Sequence, residues 1–497
     1  MTGSSTTLAR HALEGRDSPT THRNIMTAYY LYLALGENQP YIGFTHDPCL
    51  DSTLLGGMGC TRLFAASQPL PIDLAAVAAW HLWEKTGAYH PAASSSRLIG
   101  NPPTASRSRH SPPRLELPRL TFPANPRSLV EFLASSWTPR GERALRRPRG
   151  HRDQVQGARS WLRHIRRHFR RRGLGNWREI DFEEITIESR LAADIPSELL
   201  EEVGRLIEGR VLSYDEVRSL LEQRHVISPY PLRDLLQACA LAGKLEIWPG
   251  VISPLEGYHI CCRCGERQQL ETIDCPLCGR SGCVICLACR SLGEIRSCRE
   301  LYYGSLQENS NSRRVFPGLT PQLEFRLTRA QAEAAAEFKG YVATWLNDYL
   351  PKDPRQTTGT QQSGLTLPHL FRKMSHDATS CLIWAVCGAG KTEIAFEGLA
   401  LAIAAGLKAV FAVPRRDVVL EVAKRAQAAF PELSVTALYG GAKHEPVGPL
   451  VVATTHQLIR FHSCFDLAIL DEADAFPYAG SAMLHRALQR AVKPGGL

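Results

Sequence analysis

The chain has 497 residues, which is too long for one hydrophobic core and predicts three or four domains of ~100–200 residues each. An apolar fraction of 44% and a charged fraction of 22% exclude a chain that is disordered or membrane-embedded as a whole. Much of the net charge of +9 comes from one arginine-rich stretch, which favours nucleic acid or an anionic membrane surface as a partner.

No stretch reaches the roughly 18–20 apolar residues that span a bilayer, and the N-terminus lacks the apolar core of a signal peptide. A cytoplasmic protein without a transmembrane segment is therefore expected. Composition divides the part before the cysteines into a mostly helical N-terminal region of unassigned role, a Ser/Pro/Arg-rich linker, an arginine-rich helical segment and a second helical region. The N-terminal region covers residues 1–93 and the linker 94–128. The arginine-rich segment covers residues 129–180 and the second helical region 181–256.

The arginine-rich segment, residues 129–180, carries Trp161, Ile165 and Phe169 at intervals of four, with arginines between them. This period predicts an amphipathic basic helix. Two interpretations stay open. Either the aromatic stripe packs on the protein and the arginines are solvated, or the arginines contact nucleic-acid phosphates.

The second helical region, residues 181–256, contains helical patterns over 214–223 and 231–242 and then a strand pattern over 245–251. Two helices followed by a strand are compatible with a winged-helix unit. The sequence therefore allows a DNA-binding fold in this region without requiring one.

Nine of the fifteen cysteines fall in a module over residues 257–303, which a linker over 304–326 follows. Repeated CxxC spacing lets two thiolates reach one tetrahedral Zn²⁺, so these residues predict structural zinc rather than disulfides or zinc catalysis. One or two ions are possible, and Cys262 is an extra thiol. The preferred first site is Cys261, Cys264, Cys286 and Cys289, and the second is Cys275, Cys278, Cys283 and Cys298.

The last part of the chain, residues 327–497, alternates apolar strand patterns with helical stretches. This alternation predicts an α/β RecA-like lobe with a parallel sheet and flanking helices. The expected strands lie at 381–386, 408–413, 433–438, 450–454 and 465–470.

A phosphate-binding loop lies between the first of these strands and a helical pattern. Backbone N–H groups of Gly388, Ala389 and Gly390 are expected to surround the β-phosphate of ATP. Lys391 is expected to bridge β- and γ-phosphate oxygens, and the Thr392 hydroxyl to bind Mg²⁺.

The acidic motif that follows the last strand supplies the other half of this chemistry. Asp471 is expected to hold the magnesium and its water, and Glu472 to orient and deprotonate the attacking water, so that Lys391, Asp471 and Glu472 form the catalytic set. Gln331, in an LTRAQ segment, is expected to read adenine. Residues after the second and fourth strands are expected to contact the nucleic-acid backbone: Pro414, Arg415, Thr454, Thr455, His456 and Gln457.

Together these residues resemble the late-competence DNA translocase family ComFA, a DEAD-type branch of the superfamily 2 helicases. The resemblance extends from about Tyr258 to Leu497. It rests on the CxRCG knuckle at Cys261, a second knuckle that ends at Gly293, the LTxxQ and GAGKT motifs, the TTHQL block and the closing FDLAILDEADAFPY segment. The N-terminal part of the chain is not covered by it.

The resemblance implies an ATP- and Mg²⁺-dependent enzyme that handles single-stranded DNA during uptake in transformation. Its implied place is the cytoplasmic face of the membrane, and its implied partners are the import machinery and a companion competence protein. The family continues into a second RecA-like lobe, which this chain is expected to lack. The isolated chain is therefore expected to bind nucleotide weakly, to hydrolyse it at most at a trace rate and not to translocate, unless a second lobe acts in trans.

Two other functions fit parts of the sequence. A replication-restart helicase of the PriA kind shares the motor and the zinc knuckles, but there the zinc module interrupts the second lobe, whereas here it precedes the phosphate loop. The other is a non-enzymatic fragment that binds zinc and DNA but hydrolyses nothing. Nucleotide binding separates this fragment from a motor.

Overall fold

The computed structural model describes most of the chain from residue 195 onward and part of the N-terminal region. The described residues are 28–36, 40–48, 50–51, 55, 60–66, 70–77, 79, 182–185, 195–253, 258–305, 315–324, 326–350, 380–386, 388–440 and 447–497. The expected linker at 94–128 and the arginine-rich segment at 129–180 lie outside them. Among these residues no helix is long and apolar enough to cross a membrane.

The N-terminal part forms an antiparallel sheet. Its strands are β1 (Ala28–Gly36), β2 (Pro40–Thr45), β3 (Cys60–Ala66), β4 (Leu70–Pro71) and β5 (Phe182–Ile185). The order is β2-β1-β3-β5, and β4 pairs with β1. Alternate residues Tyr32 and Ala34 of β1 and Leu63 and Ala65 of β3 are buried, which is the period of a strand. The expectation of a mostly helical N-terminal region is therefore wrong for these residues.

The next unit combines three helices with a three-stranded antiparallel sheet. Its elements are α1 (Ser197–Ile207), β6 (Val211–Ser213), α2 (Tyr214–Gln223), α3 (Leu232–Leu241), β7 (Leu245–Pro249) and β13 (Glu300–Gly304). The strand order is β6-β13-β7. Helix, strand, two helices and two strands in this order are compatible with a winged-helix unit, which stays a prediction. The sheet is closed by β13, which lies beyond the cysteine module, so the module is an insertion between β7 and β13.

The cysteine module consists of short strands and knuckle turns. Its elements are β8 (Val251–Ile252), β9 (Ile260–Cys261), β10 (Leu270–Asp274), β11 (Ser281–Cys286), a 3-10 turn (Arg290–Leu292) and β12 (Ile295–Arg296). One sheet has the order β10-β11-β12, and β8 pairs with β9. Gly265 and Gly279, which follow the CxxC pairs, have φ of +72° and +68°, a backbone that favours glycine.

The C-terminal lobe is an α/β layer structure. Its elements are α4 (Arg329–Tyr349), α5 (Lys391–Ala404), β14 (Ala409–Val413), α6 (Arg416–Ala429), β15 (Val435–Leu438), β16 (Leu450–Thr454), a 3-10 turn (Gln457–Arg460), β17 (Leu467–Leu470) and α7 (Ala482–Ala491). All pairs of the sheet β15-β16-β14-β17 are parallel, as expected for this lobe.

The sheet of the lobe is buried on both faces. Phe411 and Val413 of β14 pack with the helices α4, α5 and α6, whereas Val410 and Ala412 face a second core that the lobe shares with the cysteine module. Both faces of a parallel sheet must be covered, which explains the continuous apolar runs of its strands. The second face of the lobe is thus covered by the cysteine module and not by a helix layer alone.

The strand expected at 381–386 does not form. Leu382, Trp384 and Val386 are 80, 89 and 77% exposed, and the segment pairs with none of the described strands. The outer edge of β17 instead contacts Leu497, whose backbone exchanges hydrogen bonds with Asp466 and Ala468. An apolar run indicates a strand only where a neighbouring strand is within pairing distance, which the sequence does not reveal.

Candidate nucleotide and metal sites

The phosphate loop adopts the backbone that its glycines permit. Gly388 and Gly390 both have φ of +78°, and Gly390 precedes the first residue of α5. The loop therefore points the free N–H groups of a helix N-terminus outward, which favours anion binding. A Cβ atom at Gly388 would meet no atom of the described residues within 4 Å, whereas one at Gly390 would lie 2.7 Å from the Gln331 side-chain nitrogen, so the loop is open at Gly388 and covered at Gly390. Cys387, within the loop, is outside the described residues.

Lys391 and Thr392 begin α5. The Lys391 ammonium donates a hydrogen bond to the carbonyl oxygen of Ala385 at 3.3 Å, while the Thr392 side chain is buried at the base of the loop. Lys391 thus lies folded over its own loop, where a phosphate oxygen can replace the carbonyl as acceptor. The geometry agrees with the roles expected for these residues, which stay predictions.

Gln331 contacts the phosphate loop directly. Its side-chain nitrogen donates to the Ala389 carbonyl oxygen at 3.0 Å, and its side-chain oxygen accepts from the backbone N–H of Thr328 at 2.8 Å. Together with the Thr328 hydroxyl this forms a capping box that starts α4. The side chain expected to read adenine is therefore beside the nucleotide site, 58 residues before the loop position that it contacts.

The acidic motif lies at the carboxyl end of β17. The Asp471 backbone N–H donates to the Ala412 carbonyl at 3.0 Å, which extends the pairing with β14, and an Asp471 carboxylate oxygen accepts from the Glu472 N–H at 2.9 Å. Glu472 has φ of +54°, which is unusual for a residue with a side chain. Its carboxylate forms a bidentate ion pair with Arg415, at 2.9 and 3.0 Å from one guanidinium nitrogen.

The residues expected to contact nucleic acid lie at the carboxyl ends of β14 and β16. Arg415 is exposed, whereas the side chains of Pro414, Thr454, Thr455 and Gln457 are buried. His456 is half-buried, and this burial lowers its pKa. Of the six, Arg415 is the side chain that the structure presents to solvent with a charge. The nucleic-acid contacts themselves stay predictions.

The eight cysteines come together in the two groups expected from their spacing. The sulfur atoms within each group all lie within 4.8 Å of one another, and all eight residues are buried. The first group is Cys261, Cys264, Cys286 and Cys289, and the second is Cys275, Cys278, Cys283 and Cys298. Cys262 belongs to neither group, and its carbonyl oxygen accepts a hydrogen bond from Tyr303.

The sulfur distances fit tetrahedral zinc. Cys261 and Cys289 sulfurs are 3.8 Å apart, Cys264 and Cys286 sulfurs 3.6 Å. Two thiolates each ~2.3 Å from one tetrahedral zinc lie ~3.8 Å apart, whereas a disulfide requires ~2.05 Å. Hydrogen bonding with Cys298 is the main cause that lowers the pKa of Cys283, which favours the thiolate form that a zinc ligand takes. The residues present therefore fit a zinc ion in each group.

A network of ionic side chains that the sequence did not indicate joins the first cysteine group to the lobe. Arg263, inside the first knuckle and 1% exposed, donates to Glu216 at 2.7 Å, and Arg460 donates to the same carboxylate at 2.7 Å. Burial alone would raise the pKa of Glu216, but Arg263 and Arg460 outweigh it and lower the pKa to about 2. Arg490 donates to the carbonyl oxygens of Arg263 and Ile459. These partners are far apart in sequence, so no local pattern reveals them.

Two family models match the chain. Residues 324–491 match the model described as type III restriction enzyme, res subunit, which belongs to the superfamily 2 helicases. Residues 210–303, which begin after α1 and include the rest of the winged-helix-like unit and the cysteine module, match the competence protein ComFA N-terminal domain. The resemblance to ComFA is confirmed.

Curated relatives agree with the family models. The chain is 42% identical over 152 residues to competence protein ComFA of Bacillus subtilis (strain 168), which is 30% of this chain and 32% of that protein. It is 47% identical over 116 residues to competence protein ComFA of Streptococcus pneumoniae (strain ATCC BAA-255 / R6), 23% of this chain and 27% of that one. The chain matches about a third of the length of these ComFA relatives. Residues 324–491 are thus similar to superfamily 2 helicases.

Proposed function

We propose that this chain carries the ATP-binding lobe of a ComFA-type motor that acts on single-stranded DNA during DNA uptake. The observation that carries the proposal is that one lobe holds both motifs, the phosphate loop that starts α5 and the acidic residues that follow β17. The open phosphate loop before α5 and the acidic residues after β17 belong to the same lobe, and Asp471 continues the ladder of the central strand β14. A superfamily 2 motor needs both, since one binds phosphates and the other holds metal and water.

In this proposal each residue has one task. Lys391 exchanges the Ala385 carbonyl for β- and γ-phosphate oxygens, and Thr392 and Asp471 hold the magnesium ion. Magnesium, when bound, neutralises charge on the phosphates. Glu472 accepts a proton from the attacking water, provided that one of its oxygens is free. Gln331 contacts the loop at Ala389 and would read the adenine base with the same side-chain amide.

The two cysteine groups hold structural zinc in the proposal, since four thiolates leave no open position for a substrate. The implied partners are single-stranded DNA, the import machinery and a companion competence protein at the inner face of the membrane. These rest on the resemblance to ComFA.

The nucleotide site is tested by replacing Lys391. We expect Lys391→Ala to abolish binding of a fluorescent ATP analogue in the presence of Mg²⁺, because the ammonium is the one cation placed inside the loop among the described residues. Lys339→Ala is the matched control, since Lys339 is exposed on the same lobe and pairs with Glu397 at 2.9 Å. Equal affinity of wild type and Lys391→Ala would favour the non-enzymatic zinc- and DNA-binding function instead.

A further inference from the structure

Arg415, which is expected to contact DNA, and Glu472, which is expected to activate water, contact each other. The Arg415 guanidinium donates to both carboxylate oxygens of Glu472, at 2.9 and 3.0 Å from Nη2, and its Nε donates at 3.3 Å. The two residues are 57 positions apart in sequence. The hydrogen bond to Glu472 is the main cause that raises the pKa of Arg415, and Asp417 adds to it.

The fold explains why these residues meet. Arg415 follows β14 and Glu472 follows β17, and these strands are parallel neighbours, so their carboxyl ends lie side by side. The left-handed backbone of Glu472, held by the hydrogen bond from its N–H to Asp471, directs the carboxylate to one side. With both oxygens occupied by Arg415, Glu472 is engaged as an acceptor before any substrate water arrives.

The pair is well formed but easy to exchange. The side chains of Arg415 and Glu472 are 56 and 31% exposed, and water screens such ion pairs so that they add little net stability. A guanidinium binds a phosphate with the same bidentate geometry as a carboxylate. A phosphate of the DNA backbone can therefore compete with Glu472 for Arg415.

We propose that Arg415 couples DNA binding to catalysis by exchanging partners. Without DNA it holds Glu472 and keeps the carboxylate from the attacking water. A phosphodiester of single-stranded DNA takes the guanidinium and releases Glu472 as the general base. This inference rests on the proposed function, because it assigns a regulatory task to residues of that site.

Linkage makes the exchange measurable without turnover. If DNA can bind Arg415 only after the ion pair with Glu472 breaks, the pair lowers the apparent affinity for DNA. Removal of the Glu472 charge should then raise this affinity, by about two- to fivefold for an exposed pair. The gain must vanish when Arg415 is already absent, because the two residues act through one contact.

The experiment measures the affinity of the full chain for a fluorescent single-stranded oligonucleotide by anisotropy at low salt. The variants are Glu472→Gln, Arg415→Gln, the double variant and, as control, Glu397→Gln, which removes one partly exposed, paired carboxylate of the same lobe. We expect Glu472→Gln to bind about two- to fivefold tighter than Glu397→Gln, with no such gain in the Arg415→Gln background. Equal affinities, or the same gain in both backgrounds, overturn the exchange.

ATP hydrolysis tests the catalytic half. The assay is run under single-turnover conditions with excess protein, which resolve even a trace rate. Arg415→Gln should then hydrolyse ATP faster than wild type in the absence of DNA and should lose stimulation by DNA, and a DNA-free rate no higher than that of wild type overturns this half. Failure of the wild-type chain to bind DNA at all would overturn the proposed function together with the inference. Normal DNA binding without coupling between Arg415 and Glu472 would overturn the inference alone.

Discussion

The two cysteine groups have identical donor atoms but different surroundings. The first group lies in a hydrophobic core that also contains Val410, Ala412 and Val451 of the nucleotide lobe and Phe461 beside it. The second group forms a small cluster of its own, with Ile273 as the partly buried neighbour. Two sites with the same ligands therefore have different structural roles. The core into which each group packs, and not its ligand set, decides which part of the fold the metal stabilises.

Ionic contacts extend this difference. The first knuckle is tied to the lobe by Arg263, Glu216 and Arg460, and Arg486 of α7 donates to Glu266 at 2.9 Å just after the knuckle. Arg280, which lies between Cys278 and Cys283 of the second group, pairs at 3.2 Å with Asp73 in the N-terminal part of the chain. The first group thus joins the cysteine module to the motor, whereas the second joins it to the N-terminal region.

The largest effect is expected when a ligand of the first group is replaced. Cys286→Ser should remove one of two zinc ions and destabilise the lobe with the module, because metal binding supplies folding free energy, ~10–16 kcal/mol in small zinc-finger peptides. The measurements are zinc per chain by elemental analysis, thermal unfolding and affinity for the ATP analogue. Less than one zinc in the wild-type chain would contradict the assignment of both sites.

Cys283→Ser is the matched change in the second group, since Cys283 lies on the same strand, three residues earlier. It should also remove one zinc ion, but it should leave the affinity for the ATP analogue unchanged because its cluster does not include the lobe. Proteolysis should then cut the module while the lobe stays intact. A loss of nucleotide affinity as large as that of Cys286→Ser would show that the two groups stabilise one common core.

An intermediate effect is expected from Glu216→Gln. The neutral amide leaves the guanidinium of Arg263 buried without a counter-charge, which should lower the free energy of unfolding by ~2–4 kcal/mol. Glu222→Gln on the same helix, whose pair with Arg218 is exposed, should cost less than about 1 kcal/mol. Chemical denaturation of the metal-loaded proteins compares the two, and equal losses would contradict a buried link.

Low pH should reduce the difference in unfolding free energy between wild type and Glu216→Gln. The pKa of Glu216 is about 2 in the folded chain, below its ordinary value of 4.5, so its contribution is fully present above pH 4.5. It is lost as the pH falls through about 2. The difference in unfolding free energy between the two proteins should therefore shrink from pH 4.5 downward, and a constant difference would contradict an ionised Glu216.

The smallest effect is expected from Cys262→Ala. Cys262 is buried beside the first group but is not among its four sulfurs, and its backbone N–H donates to the Gly250 carbonyl at 2.8 Å. The substitution should leave zinc per chain unchanged and lower the free energy of unfolding by about 1 kcal/mol through lost packing. A fall in zinc content would show that Cys262 exchanges with a neighbouring ligand.

Several features could be predicted from short stretches of the sequence taken by themselves. A turn of CxxC places two thiols on one ion. Which cysteines share an ion was only a preference at the level of sequence, and the structure separates Cys283 from Cys286, which point to opposite faces of β11. The phosphate loop and the acidic motif are likewise short segments whose backbone is set by their own residues. The parallel sheet followed from the alternation of strand and helix patterns, whose period is also local.

Contacts between distant segments were decided by the tertiary structure alone. The apolar run at 381–386 satisfies every local rule for a strand but has no pairing partner, and β13 closes the winged-helix-like sheet from beyond the cysteine module. Arg460 reaches Glu216 across 244 positions and Arg415 reaches Glu472 across 57. Strand pairing and ion pairing between such residues depend on which elements the fold brings side by side, and no periodicity in one segment contains that information.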